Sequence, residues 1–445
     1  MWAAVVLALL SSPEVASAAP GACSHFSDTR LEGATDIVAA IQVQGNTATP
    51  DDEVRRLADV RVGMPLEAAT IEDVARRLRA TKRFERVEVL KRFASIADPT
   101  QIMLVIIVDE GAVKIQMTGD PDHPTRVVRS RRPNILFLPV LRQEDGYGLT
   151  YGARLAIPEF AGKHSRLYFP LTWGGTKQAT MELDQRIEGR PIDRVWIGGS
   201  VSRRKNPAVD EDDDRARVWV RVEREIVHGF RVGSTAGWQH VSFANVRDRF
   251  AHVSAEVVVD TRLDPVLARN AVYIRTSWEH LAFGGQTPEG VARPVAGERY
   301  QGGLNRTDVD ARGYLGFIGQ SVIALRAMRS DADRPLPLYL QPLLGGQSNL
   351  RGFQTGIDTG DTLVATAAEV ILPLTSPLKI GKVGVTAFVD RGTVYDKGER
   401  FEDQTLRTGY GGSVWFTAAF LRFNLAVAHG RGASTRVHAG GNITF

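Results

Sequence analysis

The sequence predicts a mainly β protein, with a 16-stranded antiparallel transmembrane β-barrel over residues 134–445 behind a small α+β domain over residues 36–111. After residue 111 the helical periodicity disappears, and the chain divides into segments of about ten residues in which apolar and polar side chains alternate. Apart from the N-terminus, no apolar run approaches the ~18 residues that a membrane helix needs, so any spanning structure has to be a closed barrel. Before residue 111 the pattern is strand, helix, helix, strand, strand.

Composition excludes some classes of function and leaves others open. The 445 residues carry a formal net charge of only +4, which is too balanced for a protein that must neutralise many phosphates of a nucleic acid. The mean hydropathy of −0.14 is ordinary for a soluble protein, but a barrel with a polar interior has the same value. Bulk hydropathy therefore does not distinguish the two.

The first 18 residues are expected to form a signal peptide, because the apolar run Ala3–Leu10 is followed by the small residues Ala16-Ser17-Ala18. No Lys or Arg precedes the apolar run, which departs from the usual signal. Residues 19–35 are expected to be flexible. They include Cys23, the only cysteine, so no intrachain disulfide can form. A free thiol is favoured over lipid attachment, since Pro20 stands where the lipidation signal usually has leucine.

The small domain is predicted from its periodicity. A first strand ends at the turn signal Gly45-Asn46-Thr47, and Pro50-Asp51-Asp52-Glu53 opens a helix with acids in its first turn, where the helix dipole favours them. A second helix places Ile71, Val74 and Leu78 on one face. Two alternating strands follow, and residues 112–133 are expected to be a linker.

The barrel is predicted from sixteen alternating segments, and an even number places both barrel ends on the periplasmic side. On that count the connection 330–361 and the acid run Asp210-Glu211-Asp212-Asp213-Asp214 lie outside the cell. The acid run is interpreted as a solvated loop, with a divalent-cation site as the alternative. The segments are 134–143, 147–157, 165–175, 178–188, 194–205, 215–226, 230–243, 252–263, 270–282, 302–317, 319–329, 362–373, 382–391, 408–417, 420–429 and 435–445.

Alternation also assigns faces. Val218, Val220 and Val222 are expected to face lipid, while Arg217, Arg221 and Glu223 face the lumen. Likewise Leu421, Phe423, Leu425 and Val427 oppose Arg422 and Asn424. Charge at alternate positions is hard to reconcile with a sheet that is packed on both faces, but it suits a water-filled interior.

Three residues in the longest connection are predicted to fold into the lumen. Parity turns Glu369 and Asp390 inward on neighbouring strands, where the planar guanidinium of Arg351 can pair with both. Gly352 would let the backbone turn tightly, and Phe353 would pack against the lumen wall. We call this predicted site the lumen latch; its residues are Arg351, Gly352, Phe353, Glu369, Asp390 and Gly392.

The small domain resembles a POTRA domain, a periplasmic module that binds extended chains at a sheet edge. The resemblance rests on Gly45-Asn46, Val62-Gly63-Met64-Pro65-Leu66 and Arg83-Phe84-Glu85-Arg86-Val87. The barrel resembles the BamA/TamA superfamily of outer-membrane assembly and translocation barrels, known as the bacterial surface antigen family, in its Arg-Gly-Phe loop and following acids. Two further matches are the periplasmic-turn motif Asp260, Arg262, Asp264 and Pro265, and a terminal barrel-insertion signal with Gly441, Ile443 and Phe445.

The resemblance implies a bacterial outer-membrane protein with its N-terminal domain in the periplasm. Its expected function is assembly or translocation of client proteins, which the POTRA-like module captures. The alternatives are a passive barrel without a client and a dedicated exporter of one secreted partner. The expected partners are the outer-membrane bilayer, extended clients and accessory periplasmic proteins, without nucleic acid. No enzyme activity, cofactor or metal is expected, since no nucleophile elbow, zinc motif or phosphate-binding loop is present.

Overall fold

The computed structural model describes residues 36–443, apart from gaps at 47–48, 67, 85, 95–97, 99, 111–112, 118–124, 130–134, 188–190, 263–266, 285–299, 376–380 and 419–420. The predicted signal peptide and flexible segment lie outside the described residues. No helix among the described residues is long and apolar enough to cross a bilayer.

The N-terminal domain has the predicted βααββ order. Its sheet runs β1-β3-β2, with β1 parallel and β2 antiparallel to the central β3. Both helices close one core, since Val54 and Leu78 pack with Ile102, Leu104 and Ile106 at no measurable exposure. The elements are β1 (Ile37–Gln44), α1 (Asp51–Ala58), α2 (Ala68–Ala80), β2 (Arg86–Phe93) and β3 (Gln101–Asp109).

The segment predicted as a linker contains two short strands in its described part. These strands, β4 (Val113–Met117) and β5 (Thr125–Arg129), pair with each other in an antiparallel manner. They therefore form a small separate hairpin between the N-terminal domain and the barrel.

The described chain closes a barrel of 16 antiparallel strands, which confirms the predicted fold class. Each predicted segment overlaps one strand, with bounds that differ by up to six residues, as at β13, which begins at Val246 and not at residue 252. The strands are β6 (Leu136–Glu144), β7 (Gly148–Pro158), β8 (Ser165–Gly174), β9 (Thr176–Arg186), β10 (Arg194–Asn206), β11 (Glu211–Val227), β12 (Phe230–Phe243), β13 (Val246–Asp260), β14 (Ala271–Phe283), β15 (Gly302–Gly316), β16 (Val322–Ala332), β19 (Thr362–Thr375), β20 (Gly381–Tyr395), β21 (Arg407–Ala418), β22 (Leu421–Gly430) and β23 (Thr435–Ile443). Two short strands of the long connection are β17 (Leu343–Leu344) and β18 (Asp358–Thr359).

The acid run is not a solvated loop, and that interpretation was wrong. β11 begins at Glu211, so Asp212, Asp213 and Asp214 belong to the sheet and pair across the ladder with Lys205, Arg204 and Arg203. Opposite charges at directly facing positions stabilise the extension of both strands. Only a turn over residues 207–210 remains as the connection.

The two faces of the wall follow the predicted alternation. Outward Val218 and Val220 are 55% and 44% exposed, as lipid-facing side chains are in an isolated barrel. The inner face carries ladders of opposite charge: Arg221 and Arg275 both bind Glu256, and Arg306 binds Glu279. Such ladders suit a hydrated interior.

The candidate functional site at the lumen latch

The long connection between β16 and β19 crosses the extracellular end of the lumen. Its first part packs against the inner wall, where Tyr339 donates a hydrogen bond to Asp248 of β13 (2.5 Å) and accepts one from Arg215 of β11 through its main-chain oxygen (2.7 Å). Burial, followed by the hydrogen bond to Asp248, raises the pKa of the Tyr339 hydroxyl. β17 and β18 then pair as the stem of a second part, residues 343–359, which we call the latch loop.

Arg351 lies at the centre of the latch loop's contacts. Its Nε and Nη2 donate to the two carboxylate oxygens of Asp390 at 2.7 and 2.6 Å, and its main-chain N–H donates to Asp390 at 2.9 Å. Nη2 also lies 2.6 Å from Glu369, and the guanidinium carbon is 3.5 Å from the centroid of the Phe388 ring. The bidentate geometry is the one that makes Arg–carboxylate pairs strong.

The pair is buried, so its charges are poorly screened by solvent. Arg351 is 7% exposed and Asp390 1% exposed. Burial alone would lower the pKa of Arg351, but the hydrogen bonds that it donates to Asp390 and the charges of Glu369 and Asp390 outweigh burial and raise the pKa. The guanidinium therefore stays charged, and removal of either partner would leave the other buried without compensation.

Phe353 lies on the apolar side of the latch loop, and Gly392 of β20 belongs to the wall that this side contacts. Phe353 is 3% exposed and packs with Leu344 and Leu350 of the same loop and with Leu363 of β19. A Cβ at Gly392 would stand 3.1 Å from Leu344 Cδ1, so glycine leaves room for that leucine. The latch loop is thus held by one ion-pair cluster and one apolar cluster.

Gly352 has a backbone angle φ of +92°, which L side chains rarely adopt. Its N–H donates to Nε2 of His438 at 2.9 Å, and a Cβ would lie 2.7 Å from the main-chain nitrogen of Gly430. Only glycine fits between the latch loop and the wall at this position.

We expect Gly352→Ala to destabilise the wall-bound position of the latch loop by about 1–3 kcal/mol. Alanine disfavours the positive φ, and its Cβ would also clash with the main chain at Gly430. Hydrogen exchange over residues 343–359 measures the effect. The matched control is Gly432→Ala, since Gly432 has φ of +79° with no atom within 4 Å of the built Cβ. Equal protection in wild type and Gly352→Ala would contradict the tight fit.

Sequence reasoning missed the pair His438 and Asp145. His438, on the last strand, is 2% exposed, and its Nδ1 lies 2.6 Å from a carboxylate oxygen of Asp145 in the turn between β6 and β7. Burial alone would raise the pKa of Asp145, but hydrogen bonds from His438, the Gln347 main chain and Thr355 lower it. The only sequence signal was an inward histidine on the last strand, and nothing in the sequence linked it to residue 145.

The other predicted site residues lie apart from the latch. Arg262 binds Asp260 through Nε and Nη2, both at 2.8 Å, and stacks 4.2 Å from the Tyr273 ring centroid. Asp264, Pro265 and Phe445 lie outside the described residues. In the last strand, Gly441 pairs with Gln143, and Ile443 with Leu141, across the barrel closure.

Comparison with known proteins decides the family. Residues 37–111 match the model of the POTRA surface-antigen repeat, and residues 199–445, more than half of the chain, match the model of the Omp85 superfamily domain. The chain belongs to the Omp85 superfamily. This confirms the expected resemblance, and it makes the protein an outer-membrane barrel with its POTRA domain in the periplasm. Omp85 proteins are transporters and assembly factors rather than enzymes.

Solved structures agree with the Omp85 fold. BamA from Haemophilus ducreyi lacking POTRA domains 1–3 superposes with a TM-score of 0.58 at 14% identity, over 92% of this chain and 84% of that chain. CdiB from Escherichia coli gives a TM-score of 0.51 at 13% identity, over 98% and 93%. Identities this low show the fold alone. No curated protein matches this Omp85 chain by sequence.

Proposed function

We propose that this Omp85 protein assembles or translocates client polypeptides, which its POTRA domain captures and its first and last barrel strands admit. The latch loop is proposed to hold this closure shut until a client arrives. The observation that carries the proposal is the weakness of the main-chain pairing between β6 and β23.

The closure, which we call the seam, has three residue pairs among the described residues: Leu141 with Ile443, Arg142 with Asn442, and Gln143 with Gly441. The next weakest neighbouring strands, β8 and β9, share six pairs. Residues 136–140 of β6 have no main-chain partner on the described part of β23. A strand edge of this kind can accept an additional strand through main-chain hydrogen bonds, which are tolerant of client sequence.

Beyond the last main-chain pair of the seam, side chains connect the first and last strands. The His438–Asp145 pair joins the last strand to the β6–β7 turn, and Asp145 also accepts a hydrogen bond from the Gln347 N–H at 3.2 Å. A Cβ at Gly440 would lie 1.9 Å from Gln347 Oε1, so the latch loop packs directly on the bare backbone of the last strand. The contacts support a role in which movement of the latch loop and opening of the seam are coupled.

The POTRA domain offers a second edge. β2 pairs only with β3 within the described sheet, and its outer edge carries no strand. The start of β1, by contrast, is covered by residues 63–66, since Val38 donates to the Met64 carbonyl at 3.0 Å and Leu66 donates to the Asp36 carbonyl at 2.7 Å. We assign client capture to the β2 edge on this difference.

A passive barrel is the second candidate, and the buried latch favours it. The fixed loop, held by Arg351 and the Phe353 cluster, would suit a permanently closed lumen as well as a regulated one. Export of a single secreted partner is a narrower form of the main proposal.

Depletion of the protein from its native host is the experiment that separates these functions. We expect loss of several outer-membrane barrels if it assembles clients, or of one secreted protein if it exports a dedicated partner. Both losses should be restored by a plasmid copy of the wild-type gene and not by one lacking residues 36–111. An unchanged outer-membrane and secreted proteome would overturn the proposal in favour of the passive barrel.

A further inference from the structure

The outer wall of strands β8 to β13 carries a groove with an apolar part and a charged part. The apolar part has a volume of about 470 Å³ and is lined by Phe169, Leu171, Met181, Val218 and Trp238, with Gly199 and Ala216 among its small residues. A second part of about 630 Å³ continues it, since both share Leu171, Ala179, Val201 and Ala216. We call the two parts together the wall groove.

The charged part lies at the extracellular ends of its strands. The first barrel strand, β6, runs outward from the periplasm and the direction alternates along the wall, so β10 runs outward and β11 returns. Arg203 near the end of β10 and Asp214 near the start of β11 therefore both stand at the outer rim. Strand register places Lys177 opposite Arg203, and Arg247 opposite Ser242, on the same outward face as Val201 and Trp238.

The cationic side chains of the wall groove differ in whether an acidic partner neutralises them. Arg203 is bound by Asp214 through two hydrogen bonds of 2.5 and 2.6 Å, and Lys205, further out, is bound by Asp210 at 2.8 Å. Lys177 and Arg247, which line the groove on either side of that pair, have no acid partner within ion-pair distance among the described residues. Two uncompensated positive charges therefore face one cavity.

The positions of the groove residues along the barrel axis show which part of the bilayer surrounds them. Trp173, which is 52% exposed at the outer end of β8, marks the headgroup level of the bilayer, as outward tryptophans at a barrel rim do. Lys177 lies beside it at the start of β9, and the same row of the ladder continues across the wall to Arg247. Met181, Val218 and Trp238 form a second row, four residues further toward the bilayer centre. The groove thus matches a molecule with an anionic head and a hydrocarbon tail.

We propose that the wall groove binds an outer-leaflet lipid that bears two phosphates, with an acyl chain along the small residues Gly199, Ala179 and Ala216. One phosphate lies at Lys177 of β9 and the other at Arg247 of β13, because the register sets these two residues four strands apart. Arginine and lysine bind phosphate through charge-assisted hydrogen bonds, and their stems can lie on apolar surface while the charged ends reach the headgroup. This inference does not depend on the protein's handling of clients.

Titration of the full-length protein with diphosphorylated lipid A, followed by native mass spectrometry in a zwitterionic detergent, tests the proposal. We expect the double variant Lys177→Ala/Arg247→Ala to bind about tenfold or more weakly, because two charge-assisted contacts are lost. Arg391→Ala is the matched control, since Arg391 is also exposed, outward and near the extracellular end of its strand, but lies on β20. It should bind as the wild type does.

Two further measurements distinguish the contribution of the phosphates to binding from that of the acyl chain. Lipid A stripped of both phosphates should bind the wild type as weakly as the intact lipid binds the double variant. Ala216→Phe, which fills the groove without changing its charge, should also weaken binding. Equal affinity of wild type and double variant, or equal affinity for the intact and dephosphorylated lipids, would overturn the proposal, as would full displacement of the lipid by inorganic phosphate.

Discussion

Replacement of Arg351 by alanine is expected to release the latch loop from the inner wall. The substitution leaves Asp390, which is 1% exposed, without its bidentate partner, and loss of one member of a buried pair costs about 3–5 kcal/mol. The barrel wall itself stays intact, because no strand pairing depends on Arg351. Protease access to residues 343–359 in intact cells, together with hydrogen exchange of the purified protein, measures the release.

Arg407→Ala is the matched control for this substitution. Arg407 also binds the latch loop, through Asp358 at 2.6 Å, but both side chains are roughly 40% exposed, so we expect a change of only ~0–1 kcal/mol. The double variant Arg351→Ala/Asp390→Ala should recover part of the lost protection, since it removes the unpaired acid as well. If residues 343–359 of the Arg351→Ala variant are as protected from protease and from hydrogen exchange as those of the wild type, the latch is not held by this pair.

A disulfide across the seam is expected to abolish client handling. Gln143 and Gly441 face each other in the short ladder, at a spacing that a Cys pair can bridge with small adjustment. The variant Gln143→Cys/Gly441→Cys, made in a Cys23→Ser background, should complement the depleted strain only under reducing conditions. Outer-membrane proteomes with and without reductant measure the effect, which we expect to reach the level of the uncomplemented strain.

The control for the seam is a crosslink in an ordinary part of the wall. Val385 and Val414 pair between β20 and β21, where the ladder is continuous from Gly381 to Gly392. A disulfide there should leave client handling unchanged. Full activity of the oxidised seam variant would show that the first and last strands need not separate, and would remove the main support for the proposed mechanism.

The sequence predicted the features that depend on local pattern. Two-residue alternation located all sixteen strands, and the same parity placed Glu369 and Asp390 on the inner face, where the structure brings both to Arg351. The role of the latch stays a prediction. Alternation reports the side-chain face of each residue, and the face depends only on neighbours along the chain.

Features set by register between distant strands could not be predicted. The acid run was taken for a loop because five consecutive acids disfavour a strand, yet Arg203, Arg204 and Lys205 compensate three of them across the ladder. The small number of pairs in the seam depends on the register between the last strand and the first. His438 and Asp145 meet across 293 residues, a contact that neither periodicity nor spacing encodes.

The charge ladders of the inner wall have a consequence for what could pass through this barrel. Glu223, Arg221, Glu256 and Arg275 form one run of alternating sign that sums to zero. Arg312, Asp310 and Arg326 carry one net positive charge, and the neighbouring run of Glu279, Arg306 and Asp308 carries one net negative charge. Neighbouring charges of opposite sign cancel within a few ångströms, and at physiological salt what remains is screened within ~8 Å. The wall therefore favours neither cations nor anions strongly, so that a passing ion or polypeptide would be sorted by its size and its hydrogen-bonding groups rather than by its charge.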